Sequence, residues 1–171
     1  MAYVTPGTVA AGDVATAAAW NVLTNDVIDL DARVKRAVPS ASLVTAQTTI
    51  SSTSFADTGL SVSITPSDTS SLVEVSFTLN VGATSSLVAS INLVRGSTNI
   101  AQGTNATMGG LIANNNIVPF SMVFFDSPAT TSATTYKVQL KVNSGTVILN
   151  RRGDTDDVKP LSILTVREIA Q

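Results

Sequence analysis

Hydrophobic positions recur with a helical period in one segment of the chain, Ala17 to Val38. Large apolar residues there are separated by three and four positions, as at the a and d positions of a coiled coil. These residues are Trp20, Leu23, Val27, Leu30 and Val34. The positions between them are mostly polar or charged and would be costly to bury. A stripe this narrow needs a partner helix. Because no other segment has a helical period, we predict that copies of the chain associate through it.

The same segment carries signals for both of its ends. Asp13 is a predicted N-cap, because its carboxylate can accept a hydrogen bond from a free amide of the first helical turn. Arg33, Lys35 and Arg36 gather near the other end, where they complement the helix dipole, and Pro39 stops the helix. About 23 residues at 1.5 Å per residue give a rod of roughly 35 Å, which we interpret as a short stalk.

After Pro39 the hydrophobic period changes to two, which is typical of half-buried strands. The clearest alternations run from Leu60 to Ile64, from Val73 to Val81 and from Tyr136 to Val142. Further strands are predicted at Leu43 to Ile50, Leu87 to Arg95, Ile117 to Phe125, Val147 to Leu149 and Leu161 to Ile169. Eight or nine short strands in about 125 residues favour an antiparallel, jelly-roll-like β-sandwich.

The longest predicted loop is Gly103 to Asn116, which combines paired glycines with a run of asparagines. Asparagine and glycine on a rigid scaffold offer adaptable hydrogen bonding, so the loop is a candidate recognition tip. The candidate residues are Asn105, Asn114, Asn115 and Asn116. A plain exposed loop explains the same sequence, and the two interpretations stay open.

Composition agrees with a sheet protein, since 44% of the 171 residues are hydrophobic and only 13% are charged. One domain besides the helix is expected at this length. The formal net charge of -2 gives no basic field, so neither nucleic acid nor a membrane surface is an expected partner. The N-terminus lacks the regions of a signal peptide, and we expect a protein that is made in the cytosol.

The chain contains no cysteine and no histidine, which excludes Ser-His-Asp, Cys-His and histidine-zinc chemistry. Asp154, Asp156 and Asp157 form an acidic cluster that resembles part of a calcium loop. The fifth position of such a loop needs an oxygen ligand, and here it is Val158. We therefore interpret the cluster as a solvated turn within a charged loop, Arg151 to Lys159, and predict no metal site.

Two carboxylates can carry out glycoside hydrolysis, and the chain has two glutamates, Glu74 and Glu168. Both fall in predicted strands, where we interpret them as outward-facing or edge-facing residues. A catalytic acid would need a desolvating pocket to raise its pKa. We accordingly predict no catalytic residues, no cofactor and no enzymatic activity.

Several segments of the sequence resemble segments of a known group of proteins. They are YVTPGTVAAGDVATAAAWNVLTNDVIDL, FADTGLSVSITPSDTSSLVEVSFTLNVG, INLVRGSTNIAQG, FFDSPATTSATTYKVQLKV and LSILTVREIAQ. In style they resemble tailed-bacteriophage virion appendage proteins, which include tail-fibre tip domains, head fibres and capsid decoration proteins. The resemblance covers nearly the whole chain and involves no catalytic signature.

This resemblance implies a homotrimer on the surface of a virion. Residues 1–16 would be an arm attached to a phage capsid or tail protein, residues 17–38 a coiled-coil helix, and residues 39–171 a β-sandwich head. The arm residues expected to make the attachment are Tyr3, Val4, Pro6 and Val9. The helical stripe itself is compatible with dimers as well as trimers.

The lack of a long shaft favours a head fibre or capsid decoration protein over a tail fibre. The alternative is a tail-fibre or receptor-binding protein that recognises host surface glycans.

Overall fold

A computed structural model describes residues 17–36, 39–100, 103 and 107–169 of the chain. The arm of residues 1–16, the predicted N-cap Asp13 and the loop residue Asn105 lie outside the described residues. Within the described part there are one helix and eleven strands. The elements are α1 (Ala17–Arg36), β1 (Ser40–Val44), β2 (Thr48–Ile50), β3 (Ala56–Ile64), β4 (Leu72–Ala83), β5 (Leu87–Arg95), β6 (Thr98–Asn99), β7 (Gly109–Ala113), β8 (Val118–Asp126), β9 (Thr134–Val142), β10 (Val147–Leu149) and β11 (Ser162–Ile169).

Sheet A is built around β4, which pairs with β8 along one edge, from Val73 opposite Asp126 to Val81 opposite Val118. Along its other edge β4 pairs first with β11 and then with β10. In turn, β11 pairs with β1 and β10 pairs with β2, all antiparallel. β11 and β10 therefore act together as one interrupted strand, and so do β1 and β2. With β4 and β8, the sheet is four strand positions wide.

Sheet B has the same width. Its order is β3, β9 and β5, and the far edge of β5 is shared by β6 and β7. β5 pairs with β9 from Ala89 opposite Val142 to Arg95 opposite Tyr136. A register shift between Asp57 and Ser61 interrupts the pairing of β3 with β9, and Gly59 within it has a φ of 89°.

Numbered along the chain, successive strand positions lie in opposite sheets, except that the fourth and fifth both lie in sheet B. Sheet A contains the first, eighth, third and sixth positions, and sheet B the second, seventh, fourth and fifth. Two antiparallel four-stranded sheets with this order form a jelly roll. The predicted mainly β, antiparallel sandwich is therefore confirmed, whereas coiled-coil pairing and a homotrimer remain predictions.

Side chains that alternate inward on both sheets fill the core. Their burial removes large apolar groups from water, which is the main stabilising contribution to such a fold. The largest side chains that are almost completely buried are Leu60, Leu79, Ile91, Leu93, Tyr136, Leu140, Leu149 and Leu164.

The structure corrects two sequence predictions in this domain. The predicted loop Gly103 to Asn116 contains β7, whose Leu111 and Ala113 face the core. Its paired glycines hide the alternation, and a side chain at Gly109 would come within 2.8 Å of the Phe120 ring. The single strand predicted from Leu43 to Ile50 is two strands, β1 and β2.

Candidate functional site

The outer surface of sheet A is the first candidate for a functional site. Ladder pairing places Ser76 between Val123 and Thr165, Thr78 between Ser121 and Ile163, and Glu74 between Phe125 and Arg167. Leu43 of β1 lies opposite Ile163. We call this surface the apolar face. It consists of Leu43, Glu74, Ser76, Thr78, Ser121, Val123, Phe125, Ile163, Thr165 and Arg167.

Large apolar side chains of this face stand in solvent. Leu43 is 56% exposed, Val123 56% and Phe125 54%. Between the strands lies an open depression of about 310 Å³, lined by side chains of β4, β8 and β11. The face thus combines a shallow cavity with exposed hydrocarbon, which is typical of interaction surfaces.

Four polar residues on the apolar face form two pairs with one another. The hydroxyls of Thr78 and Ser121 lie 2.8 Å apart, at hydrogen-bond distance. Arg167 Nη2 donates to Glu74 Oε2 over 2.6 Å, which forms an ion pair. At the outward positions of β1, β4, β8 and β11, these two residues are the charged ones. The face is therefore neutral, and its paired groups cost less to desolvate than free ones.

The outer surface of sheet B differs in its chemistry. It carries Lys137 and Lys141 on β9, with Gln139 between them and Asp57 on β3. Lys137 Nζ lies 3.5 Å from Asp57, and Gln139 Nε2 donates to Asp57 over 2.8 Å. Lys141 Nζ lies 4.6 Å from the centroid of the Phe55 ring. We call this surface the lysine face.

The helix is the second candidate. Four of the five predicted seam residues have described side chains, and all four are exposed in the single chain: Trp20 61%, Leu23 46%, Val27 66% and Leu30 62%. The side chain of the fifth, Val34, lies outside the described part. Exposing this much hydrocarbon is unfavourable in water, so the prediction that the helix needs a partner is compatible with its geometry.

A buried polar cluster lies at the end of β8, and the sequence patterns did not indicate it. Arg95 Nη1 donates to both carboxylate oxygens of Asp126, over 2.9 and 2.8 Å, and the Tyr136 hydroxyl donates to Asp126 over 2.7 Å. Burial, followed by the hydrogen bond to Asp126, raises the pKa of Tyr136 well above its ordinary value. The cluster joins sheet A to sheet B and is largely buried, although the Arg95 side chain is 28% exposed, and we assign it a structural role.

The acidic cluster is a surface turn of paired charges. Asp156 pairs with Lys159 over 2.9 Å and Asp154 with Arg152 over 3.2 Å. Hydrogen bonds from Lys159 and Gln47 lower the pKa of the Asp156 carboxyl, and a hydrogen bond from Thr155 lowers that of Asp157. Among the described residues, no group of three or more histidine, cysteine or acidic side chains is arranged to hold a metal ion.

The two glutamates occupy different surroundings. Glu74 lies on the apolar face beside Arg167, as the outward-facing interpretation predicted. For Glu168 that interpretation is wrong, since the residue is only 6% exposed. Its carboxylate accepts hydrogen bonds from the Ser67 amide over 2.9 Å, the Ser67 hydroxyl over 2.7 Å and the Ser71 hydroxyl over 2.6 Å. Glu168 anchors the turn between β3 and β4. The sequence does not reveal this contact, because the two segments lie far apart in the chain.

The three described loop asparagines form the turn between β7 and β8. The Asn114 carbonyl accepts from the Ala83 amide over 2.6 Å, and its side chain accepts from the Asn116 amide over 2.8 Å. The Asn115 carbonyl accepts from the Gly153 amide over 3.0 Å. These contacts fix the turn against sheet A. Recognition by Asn114, Asn115 and Asn116 stays a prediction.

No helix among the described residues combines the length and apolar character needed to cross a membrane. No protein-family profile matches the chain, and no curated protein matches it.

Several solved structures from infectious bursal disease virus are similar to it. The T13 viral particle gives a TM-score of 0.39 at 14% identity over 78% of this chain and 36% of the other. The VP2 subviral particle gives 0.30 at 15% identity over 78% and 38%. The chain thus spans little more than a third of these structures. At such TM-scores the similarity is too weak to assign a fold or a function.

Proposed function

We propose that the chain is a non-enzymatic structural protein of a virus particle, which displays a jelly-roll head on a short helical stalk. In this proposal the chain is a homotrimeric capsid decoration or head-fibre protein. Residues 1–16 attach it to the particle and residues 17–38 hold three copies together. Supporting the proposal are the resemblance to phage appendage proteins and the position of an amphipathic helix directly before a self-contained β-domain.

The exposed apolar stripe of α1 carries this proposal. Its described members Trp20, Leu23, Val27 and Leu30 occupy a and d spacings and contact water in a single chain. Packing the same stripe from three copies together would bury them and leave the intervening asparagine and aspartate residues in solvent. The helix of 20 residues would then form a stalk of about 30 Å.

Replacing Leu23 and Leu30 by aspartate tests the stalk, because burying unpaired carboxylates in a helix seam is strongly unfavourable. We expect the wild-type mass in solution to be three times 17.6 kDa and the double variant to be monomeric. The matched control replaces Asn21 and Asn25, which lie between the seam positions, by aspartate and should keep the wild-type mass. A double variant with unchanged mass would contradict the seam.

Trp20 supplies a second readout, since it is the single tryptophan of the sequence. Its emission should be blue-shifted in the oligomer, where the indole is buried, and shifted to the red in the aspartate double variant. Removal of residues 1–16 should leave the number of copies in the oligomer unchanged and abolish attachment to particles. Truncated protein that still decorates particles would overturn the attachment role of the arm.

A further inference from the structure

The edge strand β8 is unusual in its composition. Within the described residues β8 pairs with β4 on one edge, and its other edge has no strand partner. From Val118 to Phe125 it contains no charged residue. Its inward side chains Phe120, Met122 and Phe124 pack on the core but are only half-buried. Edge strands are normally protected by charges or by proline, and β8 has Pro119 near its start but no charge before Asp126. Its outward valine and phenylalanine therefore form an apolar surface suited to being covered in the working protein.

The size of the apolar face helps to identify its occupant. Four strands about 4.8 Å apart and some seven residues long make a patch of roughly 400 Å² in projection. A helix about 30 Å long and about 10 Å wide adds on the order of 300 Å². Stable specific interfaces need about 800 Å² on each partner. Each surface is too small to hold a partner on its own, whereas together they approach the required area.

The apolar face is also continuous with the helix. β1 is the edge strand of sheet A and begins at Ser40, shortly after α1 ends at Arg36. The helix contacts β11, the neighbour of β1 in that sheet. Association of helices from several copies therefore brings their copies of sheet A close to one another.

Charge favours the same face of the sandwich. The Glu74–Arg167 pair leaves the apolar face neutral, so two copies can approach without repulsion between like charges. On the lysine face Asp57 pairs with Lys137, which leaves the positive charge of Lys141 to meet its own copy and to lose water. The outer face of sheet A is thus the one suited to self-association.

We propose that the apolar face, including Val123 and Phe125 of the edge strand β8, packs against a second copy of this chain. The heads of the oligomer then contact one another in addition to the helices. This inference rests on the proposed function, because it requires that copies of the chain associate.

The test compares two double variants of the full chain by sedimentation over a range of concentrations. Val123→Asp with Phe125→Asp changes the apolar face, and Val88→Asp with Ile112→Asp changes exposed apolar residues on the outer side of sheet B. The first should raise the dissociation constant of the oligomer about 100-fold, whereas the second should leave it unchanged. If Val123→Asp with Phe125→Asp does not fold, Val123→Thr with Phe125→Thr keeps the strand propensity and should weaken association about tenfold.

Thiol accessibility gives an independent readout, because the natural chain has no cysteine. A maleimide should react with the Val123→Cys thiol about tenfold more slowly in the oligomer than after dissociation, since a packed interface excludes reagent and water. The Ile112→Cys thiol should react at the same rate in both states. Equal rates for the Val123→Cys thiol would overturn the inference.

The outcomes separate the inference from the proposed function. In one outcome the variant with aspartate at Leu23 and Leu30 is monomeric while the aspartate and threonine variants of Val123 and Phe125 keep the wild-type affinity. That result would support the helix contact and refute the face contact. Face variants that keep their mass but lose binding to particles or glycans would assign the face to another partner, which also refutes self-packing. A wild-type chain that stays monomeric would refute both.

Discussion

The apolar face and the lysine face lie on opposite sides of one core, and both are built from strands whose alternate residues are buried. On the apolar face the outward positions hold Val123, Phe125 and Leu43, with a single ion pair between Glu74 and Arg167. The lysine face carries charged and amide groups over β3 and β9, beside the exposed apolar residues Val88 on β5 and Ile112 on β7. The two surfaces have the same strand architecture, but covering them requires different free energies of desolvation.

The difference shows how the two outer faces of one jelly roll can have different chemistry. An alternating strand requires apolar residues only on its inner side, so hydrocarbon on the outer side is not needed for folding. Where sheet A nevertheless exposes valine, leucine and phenylalanine, that surface is available for binding. On sheet B the exposed apolar residues Val88 and Ile112 share the outer surface with lysine and amide groups, so the two faces differ in their polar groups rather than in whether they expose hydrocarbon.

The largest expected effect concerns the cluster that joins the two sheets beneath these faces. Asp126→Ala removes the acceptor of the Tyr136 hydroxyl and leaves Arg95 Nη1 with the Ser127 carbonyl as its acceptor. In a largely buried site this should lower the free energy of unfolding by about 3 kcal/mol. Urea denaturation measures the change. The matched control is Asp57→Ala on the lysine face, whose pair with Lys137 is exposed and should contribute less than about 1 kcal/mol. Equal losses for both variants would contradict the assignment of Asp126 as the link between sheets.

A second prediction uses the pH dependence of Tyr136, which lies against the same cluster. Because burial raises the pKa of Tyr136 above its ordinary value of 10.0, the folded protein keeps the phenol proton where the unfolded chain releases it. This contribution to stability is complete below pH 10.0 and is lost as the pH rises beyond it, by about 1.4 kcal/mol per pH unit. Tyr136→Phe should remove that slope from the pH profile of urea midpoints. A variant with the wild-type slope would show that other groups cause it.

The smallest expected effect is the response of association to salt. Raising the salt concentration from about 0.1 M to about 1 M shortens the screening length from about 10 Å to about 3 Å. Contacts through the neutral apolar face and the helix seam should keep the oligomer mass unchanged in sedimentation. Contacts through the lysine face would depend on charge. Dissociation at high salt would therefore indicate that the copies associate through the lysine face and not through the apolar face.

Much of the fold could be predicted from period and turn residues. The alternations from Val73 to Val81 and from Tyr136 to Val142 coincide with long strands of the two sheets, because half-buried strands show period two directly in the sequence. β7 was missed since Gly109 and Gly110 interrupt its pattern, and the reason for glycine at 109 is the Phe120 ring. That ring belongs to another strand, so no local signal reports it.

The candidate surfaces were predictable to different degrees. The helix seam depends on spacing within one segment and was visible at Trp20, Leu23, Val27 and Leu30. The apolar face needs the register of β1, β4, β8 and β11, which lie far apart in the chain. One local signal was present, since β8 begins VPFSMVFF and, apart from Ser121, this stretch is apolar at inward and outward positions alike.

By itself the sequence determined the mainly β class, the strand periods, the amphipathic helix before them and the lack of histidine and cysteine chemistry. These properties are local or compositional, so neighbouring residues suffice to specify them. Only the tertiary structure decided the jelly-roll strand order, the burial of Glu168 and the Asp126 cluster. It also decided which outward residues gather on one face. Each of these depends on contacts between distant segments, whose pairing is set by how the two sheets pack around a shared core.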